Sequence, residues 1–319
     1  MATSAIQTRT SKTEIEYVKR YRQIRRQAAA SLGIQNEASV HHMQVVRHLV
    51  ARKHGLAKRT WQLYKSAVRF TIERLPRSPE TTEALELLAS QSQSGALPRG
   101  LETSAKKAKN FSAKDYQRLS SYLESNYERH PLAKPLHLWC ELTLIAGLRP
   151  GEWPTLEAHE DDAGVLEKLV IGNSKVSNGR GNGSTRTILT DRFTEHELRI
   201  VQEVFAIFPS LYAEQGRDRL QNRLRKYMAR AVRACLGKRD KYPSLYTLRH
   251  QFAANAKANL SQAEVAALMG HASDATAGRN YAKARQATGT VNAKAAKEEI
   301  ARVRPRARSF APSPQMRRI

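Results

Sequence analysis

The sequence predicts a mainly α-helical protein with two domains, the second of which also contains a small β-hairpin or sheet. A chain of 319 residues is longer than one hydrophobic core usually serves. Apolar residues recur every three or four positions through most of the chain, which is the period of an amphipathic helix. Two short segments, residues 165–171 and 185–190, alternate as strands do. Together these observations predict helices in both domains and a hairpin in the second.

Residues 1–95 are predicted to form a helical domain. Helices are predicted over four segments, residues 13–30, 39–53, 58–75 and 80–89. The first is polar and helix-prone, the second and third show apolar residues at helical spacing, and the fourth follows the breakers Pro76 and Pro79. In the third segment Trp61, Val68 and Ile72 fall on one face, and basic residues occupy the other. Residues 96–111 contain Ser, Gly, Pro and Lys without an apolar period, and we interpret them as a basic interdomain linker.

A second domain is predicted over residues 112–290. Its first helix is expected to begin at Ser112, because serine is a favoured residue at helix N-caps. A later helix over residues 136–146 is expected to end at Gly147, with Pro150 as the first residue of the next helix. The chain between these two helices would then form a short joint.

The two predicted strands, residues 165–171 and 185–190, are joined by a long tip rich in Gly and Asn, which is typical of a flexible hairpin. After Glu195 the sequence has helical periods only. The last part of the chain, residues 291–319, is predicted to form a helix over residues 292–303 and then a disordered basic tail.

The composition is strongly basic. Lys and Arg number 54 against 29 Asp and Glu, a net charge of +25, and this surplus favours a polyanionic partner such as DNA or RNA. The longest apolar run, around residues 136–148, is interrupted by Glu141 and falls short of the roughly 20 residues that a membrane span needs. We expect a cytoplasmic, nucleoid-associated protein without a membrane partner. Cys140 and Cys235 show no metal-ligand spacing and are interpreted as core or surface residues rather than a disulfide.

The segment AALMGHASDATAGRNYAK, residues 266–283, contains the most informative local pattern. Ser261 and Glu264 just before it predict a capping box, and Gly270 stands where the helix would end. His271 would then project from the helix terminus. The same pattern, a capped helix, a glycine turn and a short second helix, is also typical of a non-enzymatic helix-turn-helix DNA-binding protein.

The wider segment SLYTLRHQFAANAKANLSQAEVAALMGHASDATAGRNYAK resembles the C-terminal motif of the tyrosine recombinases, the phage integrase family, in which an arginine on a helix precedes a Gly-His pair and then a tyrosine. Upstream, LTLIAGLRPGEW resembles the first-arginine motif of the same family. The resemblance covers residues 112–287, and the preceding helical domain and linker suit the family's core-binding domain, which clamps DNA. The resemblance therefore implies a mostly helical catalytic domain with a small sheet.

The resemblance implies a catalytic role for five residues. Tyr281 would be the nucleophile that stores the energy of the phosphodiester in a covalent bond, so that no energy cofactor is required. Arg149 and Arg249 would clamp the phosphate, since guanidinium forks match its oxygens. Lys175, at the start of the hairpin tip, would protonate the leaving oxygen. His271 would donate a hydrogen bond to the same phosphate.

Three further positions complete the predicted site. Glu152 would position the first arginine, and His250, which points about 100° away from the second arginine on a helix, is interpreted as a packing or supporting residue. Tyr246, the sixth predicted catalytic residue, stands where the family usually has His or Lys; a phenol can hydrogen-bond but accepts a proton poorly at neutral pH. The interval from His271 to Tyr281 is one residue longer than the commonest family spacing.

The predicted activity is site-specific recombination of DNA through a 3′-phosphotyrosine intermediate, as in an integrase of a mobile element. Family resemblance implies double-stranded DNA as partner, a homotetramer on two DNA sites and possible accessory DNA-bending proteins, with no metal or other cofactor. Two alternatives stay open at this point. One is the helix-turn-helix protein without catalytic activity, and the other is a type IB topoisomerase, which shares the chemistry.

Overall fold

The computed structural model describes residues 11–97, 108–174 and 181–305. The chain divides into two compact units, residues 1–105 and 106–319. Residues 98–107 of the predicted linker, Lys175 and the predicted tail from residue 306 onward lie outside the described residues.

The first unit is built from four α-helices. They are α1 (Ser11–Leu32), α2 (His42–Ala51), α3 (Lys58–Ile72) and α4 (Pro79–Ser90). The helical spacing of α3 has the predicted consequence, since Trp61, Val68 and Ile72 are all buried in one apolar cluster with residues of the other helices. Helix α4 begins sharply because the Ser78 hydroxyl accepts a hydrogen bond from the backbone of Thr81.

The second unit contains eight further helices within its described residues. They are α5 (Ala113–Glu124), α6 (Ala133–Ala146), α7 (Glu195–Gln215), α8 (Arg217–Leu236), α9 (Leu245–Asn259), α10 (Gln262–Leu268), α11 (Ala275–Asn280) and α12 (Lys297–Ala301). Ser112 caps α5 as predicted, because its hydroxyl accepts from the backbone N–H of Asp115 at 3.1 Å. Gly147 ends α6 in the left-handed conformation at φ +63°. A side chain there would collide with Phe252 of α9, since an added Cβ would lie 2.4 Å from its ring.

A four-stranded antiparallel sheet completes the second unit, in the order β1 (Leu156–Glu160), β2 (Leu166–Gly172), β3 (Thr185–Leu189) and β4 (Lys294–Ala295). The predicted hairpin is the pair β2–β3, in which Leu169 faces Ile188 and both are buried. Strand β1 was not predicted, because four of its five side chains are exposed and no apolar alternation marks it. The sequence thus indicated the central pair and missed both outer strands.

Two sequence predictions about helix positions are wrong. Pro150 does not begin an α-helix; the chain makes a turn and a short 3₁₀ helix at Trp153–Thr155 before entering β1. Residues 292–303 do not form one helix either. Their first part is β4, which pairs with β3 of the same chain, and the helix α12 is only five residues long. Good intrinsic helix formers were overridden here by the unpaired edge of β3.

Helices α7 and α8 are separated by Gly216, at φ +73°, and α8 exposes most of its arginines.

Cys140 and Cys235 are both free thiols. Among the described residues, no helix combines the length and apolar character needed to cross a membrane.

Candidate active site

Four side chains form the centre of the site. Arg149 follows the end of α6, Glu152 lies in the turn after it, Arg186 lies on β3 and Arg249 on α9. Arg186, Arg249 and Glu152 are fully buried, and Arg149 is 6% exposed. Charged groups are rarely buried unless they are paired, and here a single carboxylate pairs with three guanidinium groups.

Glu152 uses both of its oxygens. Oε2 accepts from the backbone N–H of Arg149 at 2.8 Å, from Arg186 Nη2 at 2.8 Å and from Arg249 Nη1 at 3.5 Å. Oε1 accepts from the side chain of Arg149 and, at 3.4 Å, from the backbone and hydroxyl of Ser174. The carboxylate therefore ties the end of α6, strand β3, helix α9 and the end of β2 together.

The charges around Glu152 decide its ionisation. Burial by itself raises the pKa of the carboxyl, but the guanidinium groups of Arg186, Arg249 and Arg149 outweigh it and hold the pKa well below its usual range. The carboxylate stays ionised at any physiological pH. Three cations against one anion leave the centre with a net positive charge, which suits a phosphate.

Arg249 is held by backbone oxygens on both sides. Its Nη1 donates to the carbonyl of Gly147, and its Nη2 donates to the carbonyl of Met269 at 2.6 Å. Nε points to the hydroxyl of Tyr281 at 3.3 Å. This guanidinium is therefore fixed in orientation before any substrate binds, which is the property that favours transition-state stabilisation.

Tyr281 lies at the edge of this cluster, where its hydroxyl contacts two groups. Besides the Arg249 contact, it hydrogen-bonds the hydroxyl of Tyr246 at 3.0 Å. Burial alone raises the pKa of Tyr281, but the charges of Arg249 and Arg149 and the hydrogen bond with Tyr246 bring the pKa below its ordinary value. Burial and the neighbouring Tyr281 raise the pKa of Tyr246 to about 12. Of the two phenols, Tyr281 is the one that ionises first.

Two histidines flank the ring of Tyr281. The ring of His271 lies 5.4 Å from it, centroid to centroid, and that of His250 lies 5.0 Å from it. Burial, with Arg249 as the next cause, lowers the pKa of His271 to about 2. Burial, with Lys109 as the next cause, lowers the pKa of His250 to about 4. Both imidazoles are neutral at pH 7.

The structure brings together seven of the eight residues predicted for the site; the eighth, Lys175, lies outside the described residues. The ring of His250 lies closer to Tyr281 than expected. It does point away from Arg249, but it follows Tyr246 by one helical turn and shares its face, so that both rings contact Tyr281.

Sequence reasoning missed Arg186. A signal was present: on β3 the side chains at positions 186 and 188 point to the same buried face, next to an apolar Ile188. An arginine at a core-facing strand position requires a buried partner. The partner, Glu152, is 34 residues away in sequence, and the strand pattern alone does not identify it.

Comparison with known protein families identifies the family of this chain. The model of the phage integrase family matches residues 109–288, more than half of the chain. The chain belongs to the phage integrase family. Members of the phage integrase family are site-specific tyrosine recombinases, enzymes that cleave and rejoin DNA. The predicted family, fold class and activity are thereby confirmed. The alternative of a helix-turn-helix binding protein without catalytic activity is thereby set aside.

Solved structures of other phage integrases show the same fold. A lambda integrase dimer bound to a COC′ core site matches with a TM-score of 0.52 and 17% identity, over 86% of this chain and 75% of that one. A lambda integrase tetramer bound to a Holliday junction matches with a TM-score of 0.51 and 18% identity, over 86% of this chain and 72% of that one. Among curated proteins no sequence relative matches.

Proposed function

We propose that Tyr281 attacks a phosphodiester of duplex DNA, giving a 3′-phosphotyrosine and a free 5′-hydroxyl, and that the 5′-hydroxyl of a partner strand then reverses the step. The observation that carries this proposal is the position of the Tyr281 hydroxyl, 3.3 Å from Arg249 Nε and 3.0 Å from Tyr246, with a lowered pKa. A phenol needs such positive surroundings to act as a nucleophile near neutral pH.

Arg149 and Arg249, the two arginines proposed to clamp the phosphate, differ in which of their N–H donors already have a partner. Arg249 already uses its donors on Gly147, Met269 and Tyr281, so a phosphate oxygen would share or replace the Tyr281 contact at Nε. Arg149 keeps a buried Nε that donates to no group in the described part of the chain. In our proposal, Nε of Arg149 donates to a non-bridging oxygen of the phosphate, where negative charge grows in the transition state.

The remaining roles follow the sequence interpretation. A neutral His271 donates one ring N–H to the phosphate; its Nδ1 is buried and has no partner among the described residues. Lys175 protonates the leaving 5′ oxygen. Glu152 holds Arg149 and Arg249 in place, and Tyr246 holds the nucleophile by its hydrogen bond rather than as a base, because its own pKa is about 12.

For the assembly we propose a homotetramer on two DNA sites, with accessory DNA-bending proteins as further partners, acting on nucleoid DNA as the integrase of a mobile element. The net charge of +25 supports extensive phosphate contacts from both units. The tetrameric lambda integrase on a Holliday junction is the structural parallel that motivates this stoichiometry. DNA affinity should therefore fall steeply as salt is raised.

The decisive experiment traps the covalent intermediate. The full chain is incubated with a pool of nicked duplexes whose sequence is randomised around the nick, and adducts that survive denaturation are recovered and sequenced. The enriched sequence then gives a defined nicked substrate. We expect an adduct with the wild type and with Tyr246→Phe, but none with Tyr281→Phe.

Tyr212→Phe is the matched control, because its buried hydroxyl has no hydrogen-bond partner among the described residues. It should form the adduct as the wild type does. An adduct that persists in Tyr281→Phe would refute the proposed nucleophile. Strand exchange between two copies of the enriched site, without relaxation of supercoiled DNA lacking it, separates a recombinase from a type IB topoisomerase.

A further inference from the structure

We infer that Arg186 is a positioning residue of the active site, which with Asn173 fixes the Glu152 carboxylate and so sets the placement of the two clamp arginines. This inference rests on the proposed function. Arg186 is not among the residues that the sequence pattern singles out, and it has no exposed surface through which to contact DNA. Its effect must therefore pass through its neighbours.

The guanidinium fork of Arg186 joins two acceptors. Arg186 Nη2 donates to Glu152 Oε2 at 2.8 Å, and Nη1 donates to Asn173 Oδ1 at 2.7 Å. Arg186 is the nearest side-chain donor to Glu152 Oε2, since Arg249 Nη1 lies 3.5 Å from that oxygen. A guanidinium can serve two acceptors at once with a planar fork, whereas an ammonium offers a single point charge. The fork connects strand β3 to the turn after α6.

Asn173, the second acceptor, is itself fixed by hydrogen bonds. Its backbone N–H donates to Ser184 at 2.7 Å, and its side chain donates to the carbonyl of Gly183 at 3.1 Å, across the base of the hairpin. Its Oδ1 lies against Gly270, where an added Cβ would come within 2.2 Å of that oxygen. Gly270 immediately precedes His271. The Arg186–Asn173 pair therefore packs against the turn that carries this histidine.

The buried charge of Arg186 has an energetic cost. Burial lowers the pKa of Arg186, which shows that the folded environment opposes its charge. Ile188, two residues on and on the same face of the strand, packs into the core as an apolar residue. Buried ion pairs add little stability compared with apolar residues of similar size. A contribution to the geometry of the site accounts for the arginine better than a contribution to stability.

The test compares Arg186→Gln and Arg186→Lys with Glu152→Gln and the double variant Arg186→Gln/Glu152→Gln. We measure the single-turnover rate of adduct formation on the defined nicked substrate, the Kd for the same DNA, and the urea midpoint of unfolding. For Arg186→Gln we expect adduct formation to slow on the order of 100-fold, as for a misplacement of about 1 Å. Kd should change less than about threefold, and Arg186→Lys should fall between Gln and wild type.

The double variant distinguishes positioning from general damage. If Arg186 acts through Glu152, the double variant should be no slower than Glu152→Gln alone, because the two losses remove one interaction. Arg239→Gln is the matched control. It breaks a two-pronged ion pair with Asp115 elsewhere in the second unit, and it should leave the rate of adduct formation unchanged.

Three outcomes would overturn the inference: Arg186→Gln forming the adduct at the wild-type rate, the two single losses multiplying in the double variant, or a rate loss matched by an equal loss of DNA affinity. If Arg186→Gln does not fold, Asn173→Ala replaces it in the same comparison, with the same expected coupling to Glu152. A wild type that forms no adduct contradicts the proposed function itself, whereas an active wild type with an unaffected Arg186→Gln contradicts only the positioning role.

Discussion

At the scale of single residues, the hydroxyl of Tyr281 is shared between two neighbours that act on its proton in the same direction. Arg249 stabilises the phenolate by charge, and Tyr246 stabilises it by donating a hydrogen bond. The phenol of Tyr246 is a poor proton acceptor at neutral pH but a hydrogen-bond donor. The consequence is a pH dependence that depends on both tyrosines.

We predict that Tyr246→Phe shifts the pH profile of adduct formation to higher pH. The lost hydrogen bond is one of the interactions that lower the pKa of Tyr281, so its removal raises that pKa and a higher pH is needed for the same fraction of phenolate. At pH 7 the rate should fall by about tenfold for each unit by which the pKa rises. Single-turnover rates between pH 6 and 10 measure the shift.

Tyr212→Phe serves again as the control and should leave the profile in place. A Tyr246→Phe profile that is unmoved, or that moves to lower pH, would show that Tyr246 does not stabilise the phenolate.

At the scale of elements, the turn between α10 and α11 shows why a glycine stands at position 270. The residue has φ +62°, which side chains with a Cβ rarely adopt, and its missing side chain leaves room for Asn173. The turn therefore carries both a backbone requirement and a packing requirement. Its backbone hydrogen bond from His271 to Ala266 at 2.8 Å then places the histidine beside Tyr281.

We predict that Gly270→Ala destabilises the protein more than Gly164→Ala does. Both glycines have positive φ, +62° and +75°, so both alanines incur about 1–2 kcal/mol of backbone strain. Only the Cβ at position 270 meets another atom, Asn173 Oδ1, whereas nothing lies within 4 Å at position 164. The additional cost of crowding is roughly 1–3 kcal/mol. Urea unfolding of the two variants measures the difference.

The adduct assay adds a second readout for the same pair. Gly270→Ala should slow adduct formation and Gly164→Ala should not, because only the first displaces Asn173 and His271. Equal losses of stability in the two variants would contradict the packing argument.

Residues 292–303 adopt a structure that their local sequence pattern does not predict. Residues 292–303 have high helix propensity, yet β4 pairs with β3 and the buried Glu299 accepts from the backbone N–H of Thr187 at 2.7 Å. In addition, Asn182 donates to the carbonyl of Glu299 at 2.7 Å. These contacts provide hydrogen-bond partners for the open edge of the hairpin. The local sequence of residues 292–303 contains no information about that edge.

At the scale of the whole molecule, the second unit buries ionisable groups in fixed protonation states, and its stability should depend on pH for that reason. His271 is neutral in the folded state, with a pKa of about 2 against 6.5 when unfolded. As pH falls below 6.5 the unfolded chain takes up a proton that the folded chain does not, so the free energy of unfolding decreases. Glu152 acts in the same direction below about pH 4.5, since its folded pKa is depressed.

We predict that stability falls as pH is lowered from 7 to 5, with His271 contributing about 1.4 kcal/mol for each pH unit below its unfolded pKa. Urea denaturation at pH 7, 6 and 5 measures the slope. His271→Gln should reduce it by that amount. A slope that is identical in His271→Gln and wild type would show that His271 titrates alike in both states.

The sequence by itself determined the family, the order of the motifs, most of the helices and the central hairpin. These features depend on local chemistry: Ser112 and Ser261 cap helices, Gly147 and Gly270 end them, and apolar spacing places the core faces. The site residues were predicted from the resemblance to the phage integrase motifs, in which two arginines, a Gly-His pair and a tyrosine follow one another along the chain. Phosphate chemistry at a tyrosine explains why guanidinium groups occur among them.

Only the tertiary structure decided how those groups meet. Arg149, Arg186 and Arg249 converge on Glu152 across separations of up to 97 residues, and His250 reaches Tyr281 only because α9 packs one particular face toward it. Such contacts depend on how helices and strands pack, which is set by the burial of many residues at once rather than by any local pattern. The alternation of β3 held a signal for the buried Arg186 that sequence reasoning missed, and its partner Glu152 was fixed only by the folded chain.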